Sequence, residues 1–409
     1  MEEKFRSDAR IVLAADRFIQ KNTLRHEKHM KAARKPASDI REISLRSRKA
    51  QYTYLAKLAE GCTSQTAILY RDNECILPLV DLLERNGIPY QMRNAELSFF
   101  SHRTILDIIN IIKLAQKPMD TEAFLQIYYK IGTYLRKQDA IRIARISEEK
   151  RIPVLDVAAE DPDLNGHVLG SVRSMRTHLQ NLLQDSGERA LYRIMQYMGY
   201  QEYLNRSGLS DSKLEILRIL GSRADSPMEL AERLEQLKVL IREKEPDRKC
   251  PLILSTIHAS KGLEYDSVYL IDVADGILPE SIPQNLHQAS AEELKAYEEE
   301  RRLFYVGVTR AKDHLTLFTT NRPSTFCSEF LGKSSVTEEG RKNLMPVESR
   351  ISRTFKQARP YAAVAGIRQT KASEELYFRL KEELGTGVIV EHKKYGEGVV
   401  TQLDDRLVH

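Results

Sequence analysis

Two blocks of the 409-residue chain gather residue types suited to phosphate chemistry. The first, Ser255-Thr-Ile-His-Ala-Ser-Lys-Gly-Leu-Glu264, leaves an apolar stretch and presents His258, Lys261 and Glu264 around Gly262. If that stretch is a buried parallel strand, the loop lies at the carboxyl end of a sheet, where ligands bind. The second is Glu298-Glu-Glu-Arg-Arg-Leu-Phe-Tyr-Val-Gly-Val-Thr-Arg-Ala311. Leu303, Val306 and Val308 give it an apolar side, and Thr309-Arg310 closes it. The planar guanidinium fork of arginine matches phosphate oxygens. Each block also has a plain alternative: an ordinary loop with one glycine, and a charged surface helix stitched by i,i+3 and i,i+4 ion pairs.

Other chemistries find little support. Cys62, Cys75, Cys250 and Cys327 are scattered without a CxxC pair, which argues against a zinc ribbon, an iron–sulfur cluster or a secreted disulfide scaffold. His26 and His29 have ligand-like spacing, but no thiol or carboxylate constellation accompanies them, so a solvated basic segment is the reading and no metal site is expected. Trp is absent, leaving Phe, Tyr or Arg for base stacking. No apolar run reaches the roughly 18 residues of a spanning helix, and the N-terminus lacks a signal-peptide core. A cytoplasmic address with no membrane contact is expected. The net charge of +5 permits nucleic acid without demanding it, although the first fifty residues carry 14 Lys/Arg against 7 Asp/Glu.

The elements that must position these blocks are legible in part. A helix follows Ser7 or Asp8 as N-cap, with Ile11, Ala15, Phe18 and Ile19 on one face. Residues 21–50 turn basic and lose periodicity. A strand at Thr66–Tyr70, a helix from about Asn73 to Asn86 stopped by Gly87, and a short strand in Ile88-Pro-Tyr-Gln-Met92 read as α/β. From about 104 to 245 the periods are helical. After 250, PLILSTI, YDSVYLIDV and DHLTLFTT are strand candidates, with a long helix from about Ala291 to Ala311 between the last two. The tail reads as a β-hairpin with Gly396 and Gly398 around its turn. The expected layout is α/β at 1–107, an inserted helical domain at 108–247, α/β again at 248–332, a linker at 333–378 and a β tail at 379–409.

In this order, Thr256-Ile-His-Ala-Ser-Lys-Gly-Leu-Glu264 and Glu299-Glu-Arg-Arg-Leu-Phe-Tyr-Val-Gly-Val-Thr-Arg-Ala311 resemble motifs V and VI of the superfamily 1 DNA helicases of the UvrD, Rep and PcrA type. Lys4-Phe-Arg-Ser7 resembles motif IV of that family. Ala67-Ile-Leu-Tyr-Arg-Asp-Asn73, Asn86-Gly-Ile-Pro-Tyr90, Ser98-Phe-Phe-Ser-His-Arg103 and Pro323-Ser324 to Phe330 extend the match in family order. It covers roughly 1–110 and 250–330. The resemblance implies a RecA-like parallel-sheet domain with a helical insertion, the C-terminal half of an ATP-dependent 3′–5′ DNA helicase, and the opening of a Tudor-like tail.

The departures are equally specific. The P-loop GxxxxGK[ST] and the Walker B Asp-Glu that holds Mg²⁺ are both missing. Asp272, ending Val-Tyr-Leu-Ile-Asp, mimics Walker B but follows motif V in order. Phe5 stands where the family commonly has Tyr, Arg93-Asn94 where it has a glycine pair, and Lys130-Ile-Gly-Thr133 where it has a glycine-rich hairpin.

Carried over residue by residue, the resemblance implies that Phe5 stacks on adenine, Arg6 and Arg310 reach the γ-phosphate, Glu264 binds ribose and Gly262 admits the nucleotide backbone. Arg71, Asn73, Thr256 and His258 would contact single-stranded DNA, and Lys261 would aid either site. ATP and Mg²⁺ are then the cofactors, with Mg²⁺ ligands on the absent N-terminal RecA-like domain. The implied partners are single-stranded and duplex DNA, that domain and, through the tail, RNA polymerase or repair proteins. Such a half is expected to be inactive alone. A non-enzymatic DNA- or partner-binding module derived from a helicase is the alternative. The helicase subunit of a recombination nuclease is a third reading, set back by the want of a nuclease carboxylate cluster.

Overall fold

A computed structural model of the chain describes residues 3–4, 7–23, 30–36, 40–93, 98–208, 212–244, 247, 249–286, 288–322 and 324–333, with the backbone of 389–392 and 396–399. Phe5, Arg6, His26, His29 and most of the expected linker lie outside the described residues. Contacts divide the chain into units at 1–335 and 336–409.

In the first unit, β1 (Glu3–Lys4) precedes α1 (Ala9–Ile19), where the Asp8 carboxylate accepts from Arg10 N–H at 2.8 Å as N-cap. β2 (Lys31–Ala32), β3 (Ile40–Leu45) and α2 (Arg48–Glu60) follow. Residues 40–50 were expected to be aperiodic, yet they form β3 and open α2. α2 buries Arg48, Gln51, Tyr52, Leu55, Ala56 and Ala59 at helical spacing. Two of those six are strongly polar, which hides the stripe from a hydrophobicity pattern. β4 (Thr66–Tyr70) is wholly buried, as its apolar run predicts. A 3₁₀ turn at Asn73–Ile76 leads into α3 (Leu77–Arg85), and Gly87, at φ +64°, supplies the left-handed residue past its end. Of Ile88–Met92, only Gln91–Met92 pairs as β5.

Helices then run without a strand: α4 (Ser98–Ser101), α5 (Arg103–Gln116), α6 (Thr121–Ile127), α7 (Lys137–Lys150), α8 (Val154–Ala159), α9 (Gly166–Leu182), α10 (Gly187–Tyr192) with a π turn, α11 (Tyr200–Ser207), α12 (Ser212–Gly221) and α13 (Pro227–Glu243). β6 (Leu252–Thr256), β7 (Tyr265–Leu270), α14 (Ala291–Val308), β8 (Ala311–Thr320) and α15 (Thr325–Leu331) complete the unit. Ser290 and Glu293 form a reciprocal capping box at the start of α14.

The sheet has six parallel strands in the order β3-β8-β7-β4-β6-β5. Alternate strand residues feed two cores. Ile68, Tyr70, Leu252, Leu254 and Phe318 join α2, α3 and the inserted helices. Ala67, Leu69, Ile253, Leu270 and Leu317 join α1, α14 and α15 on the other face. Period-two alternation in buried strands produces this two-layer burial. In the second unit, β9 (Ile389–His392) and β10 (Gly396–Val399) pair antiparallel, Gly396 opposite His392. The expected hairpin therefore forms, but both glycines sit within its second strand and not around its turn. Among the described residues no helix is long and apolar enough to cross a membrane.

Candidate nucleotide and nucleic-acid edges

Because every strand of the sheet runs the same way, its two edges are distinct environments. Arg71 leaves the carboxyl end of β4 and Thr256 ends β6, and the two strands pair Tyr70 with Thr256. Ile257 N–H continues the ladder to Tyr70 O at 2.9 Å. This register brings Arg71, Asn73, Thr256 and His258 to one edge. The Thr256 hydroxyl oxygen accepts from Ala259 N–H at 3.1 Å, and Ser260, fully buried, donates to Ile257 O at 2.6 Å. Those two side chains fold 256–260 into a tight turn that leaves His258 and Lys261 exposed.

The same block does not stay at that edge. Glu264 immediately precedes Tyr265, the first residue of β7, which pairs with Ala311 at the start of β8. Gly262 and Glu264 thus arrive at the amino edge of the sheet, where Arg310 lies. Tyr265 N–H donates to Arg310 O at 2.9 Å, and Arg310 Nη1 donates to Leu263 O at 3.0 Å. The expectation of a single carboxyl-end loop is corrected: motif V starts at one edge and finishes at the other. Gly262 has φ +86° with nothing within 4 Å of an added Cβ, so the conformation, not crowding, requires glycine.

Arg310 turns inward. Its Nε donates to Val306 O at 3.0 Å and Nη2 to Thr309 Oγ1 at 3.2 Å, beside the bond to Leu263 O. Burial lowers the guanidinium's hold on its proton, and the nearby Glu264 carboxylate works the other way. At the opposite edge Arg71 is held by carboxylates: Glu300 at 2.8 Å, Asp72 at 2.9 Å and Glu280 at 3.4 Å. Burial opposes its charge, but the bond to Glu300 and the charges of Asp72 and Glu280 outweigh that and raise its pKa.

α14 joins the edges. Glu300 touches the Arg71 cluster and Arg310 lies just past the helix end, about 15 Å further along at 1.5 Å per residue. The reading of this helix as a stitched surface element holds only for Arg302, which pairs with Glu299 at 2.7 Å and Glu298 at 3.6 Å. Glu298 is buried and accepts from Thr23 N–H at 2.6 Å. Arg301 is buried among Phe18, Tyr297 and Phe326 and pairs with Glu329. Val306 is only half-buried, while Phe304 and Gly307 complete the buried side. Glu280 and Glu300 escaped the sequence reading. The signal was the acidic triplet 298–300, too many carboxylates on consecutive helical positions for all to face one way.

Asp272 is a structural centre. Both carboxylate oxygens are taken by Arg48 (2.9 and 2.6 Å), Gln51 (2.8 Å) and Tyr52 (3.3 Å), in a fully buried site with Asp272 at φ +56°. The Tyr52 hydroxyl gives its proton chiefly to Cys75 O at 2.6 Å, so Arg48 and Gln51 are the firm partners of the carboxylate.

The parallel six-stranded sheet with helices on both faces is a RecA-like α/β domain. A family model described as the UvrD-like helicase C-terminal domain matches residues 1–322, and the chain belongs to that family. It is similar to ATP-dependent DNA helicase Rep of Escherichia coli (27% identical over 361 residues, 80% of this chain and 51% of Rep). DNA helicase II of Haemophilus influenzae is 24% identical over 432 residues, 99% of this chain and 57% of that protein. ATP-dependent DNA helicase PcrA of Staphylococcus epidermidis is 24% identical over 441 residues, 99% of this chain and 58% of PcrA. The chain spans about half the length of these curated relatives.

Proposed function

We propose that this chain is the C-terminal half of an ATP-dependent 3′–5′ DNA helicase, translocating on single strands and unwinding duplex once joined to a P-loop half. The observation that carries the reading is the separation of two residue groups onto opposite edges of one sheet, joined by the 256–264 loop and α14. At the amino edge Arg310 and Glu264 would face nucleotide bound to the partner half, with Gly262 admitting its backbone. Phe5 and Arg6, assigned to adenine and γ-phosphate, complete this set by motif order. At the carboxyl edge Arg71, Asn73, Thr256, His258 and Lys261 would meet DNA. ATP and Mg²⁺ would be the cofactors, with the Mg²⁺ ligands on the P-loop half.

An arginine supplied across a cleft works only when the cleft closes, because the developing charge on the equatorial oxygens must be met in place. Closing would draw Arg310 off Val306 O and Leu263 O and onto phosphate, so hydrolysis would be tied to domain motion. Those same backbone bonds favour one rival, a non-enzymatic module in which Arg310 is purely a structural clasp.

The deciding measurement is steady-state ATPase with saturating oligo-dT. The chain alone is expected to be silent, and the chain recombined with a P-loop half active. In the active pair Arg310→Ala should cut turnover by about 10³ while leaving DNA affinity nearly intact, and Arg310→Lys should rescue little. Normal turnover in Arg310→Ala would make the arginine a clasp. Unwinding of a 3′-tailed but not a 5′-tailed duplex tests the polarity.

A further inference from the structure

Arg71 is the residue of the carboxyl edge best suited to grip a DNA phosphate, yet its Nε–Nη2 side is already engaged by a carboxylate. Nε lies 3.2 and 3.3 Å from the two Glu300 oxygens, Nη2 is 2.8 Å from Oε1, Nη1 is 2.9 Å from Asp72 and Nη2 is 3.4 Å from Glu280. Glu300 Oε2 also accepts from Glu280 N–H at 3.3 Å, tying the loop after β7 to the helix. The Glu300 side chain is 13% exposed and Glu280 70%. Three carboxylates surround one guanidinium, an excess of negative charge at an edge assigned to a polyanion.

We propose that Glu300 is an internal phosphate surrogate: its carboxylate occupies the Arg71 fork until a DNA phosphate displaces it, and so sets the affinity and salt sensitivity of single-strand binding. The inference rests on the DNA reading of this edge. A carboxylate presents two oxygens to a guanidinium much as a phosphodiester does, so one can replace the other without moving Arg71. Exchange releases counterions from the DNA, but it exposes Glu300, which gathers cations of its own. The two effects oppose, and the Arg71 contact then adds little to the salt dependence. Without the Glu300 charge the contact should carry its full share, a slope of about −0.7 for single strands.

The test is fluorescence anisotropy of the full chain with labelled oligo-dT across several salt concentrations. Glu300→Gln should bind roughly five- to tenfold more tightly than wild type at about 50 mM salt, with a slope steeper by about 0.7. Adding Arg71→Ala should abolish the gain. Glu280→Gln should show a smaller change in the same direction, and Glu299→Gln, which removes an equal charge facing Arg302, should show none. Wild-type affinity and slope in Glu300→Gln, a gain that survives Arg71→Ala, or an equal gain in Glu299→Gln would each overturn the surrogate while leaving DNA binding in place. No binding by wild type or Glu300→Gln at low salt would instead overturn the DNA reading, and the surrogate with it. Should Glu300→Gln melt abnormally by circular dichroism, the exposed Glu280→Gln carries the test, and an unchanged slope there overturns the proposal.

Discussion

Asp272 shows how residue type and role can part company. An acidic residue ending an apolar strand is what a metal-binding motor would need there, and here it neutralises Arg48 from α2 in a buried site. Burial opposes the Arg48 charge, but Asp272 more than compensates and raises its pKa well above the ordinary value. Removing one partner of such a pair strands the other charge in a low dielectric. Asp272→Asn keeps the shape and tolerates the left-handed backbone, so it isolates the charge. Urea denaturation should show it less stable by about 3–5 kcal/mol. A change under about 1 kcal/mol would mean that Glu215, 3.3 Å from Arg48, can neutralise the guanidinium alone.

At the scale of elements, α3 is sewn to the inserted helices by charge. Asp81 meets Arg223 and Arg233 at 3.2 and 2.7 Å, Glu84 meets Lys244 at 2.8 Å, and in the 3₁₀ turn that leads into α3 Glu74 pairs with Lys213. Burial disfavours the Glu84 carboxylate, but donation from Lys244 and Tyr90 outweighs it and leaves the pKa below its ordinary 4.5. A depressed carboxyl stabilises fully above the unfolded value and loses that contribution as pH falls through the folded one. The melting temperature should therefore drop more steeply below about pH 4.5 in wild type than in Glu84→Gln; parallel pH profiles would show the seam contributes nothing. The elements themselves were unequally legible. Thr66–Tyr70 and Leu252–Thr256 announce themselves as apolar runs because both faces are covered. β3 does not, since it lies at the sheet edge with half-exposed residues, and α2 does not, since it buries Arg48 and Gln51. In the candidate site, it was the family resemblance that singled out Arg71, Thr256 and Arg310 as candidates. Their internal partners Glu300 and Leu263 O are non-local contacts that no spacing encodes.

For the whole molecule the pairing of strands is decisive. β3 pairs only with β8, β4 with β6 and β7, and β5 with β6, so no strand of the six-stranded sheet drawn from the first 93 residues pairs with another from that stretch. A fragment ending near residue 250 should therefore show helical circular dichroism with at most the two-residue β1–β2 pairing as sheet, and no cooperative transition from the α/β core; a larger sheet signal would mean the strands of the six-stranded sheet pair non-natively. The order of strands also sets a schedule on the ribosome. About 160 residues separate β5 from β6, and at 5–20 residues per second their synthesis takes roughly 8–30 s. Throughout that interval β4 is a finished apolar strand with both hydrogen-bonding edges open, the kind of segment that aggregates or recruits a holdase. Newly made copies of this chain should thus depend on chaperones during the synthesis of their helical middle, and slowing elongation there should lower the soluble yield even though no residue of the mature protein has changed.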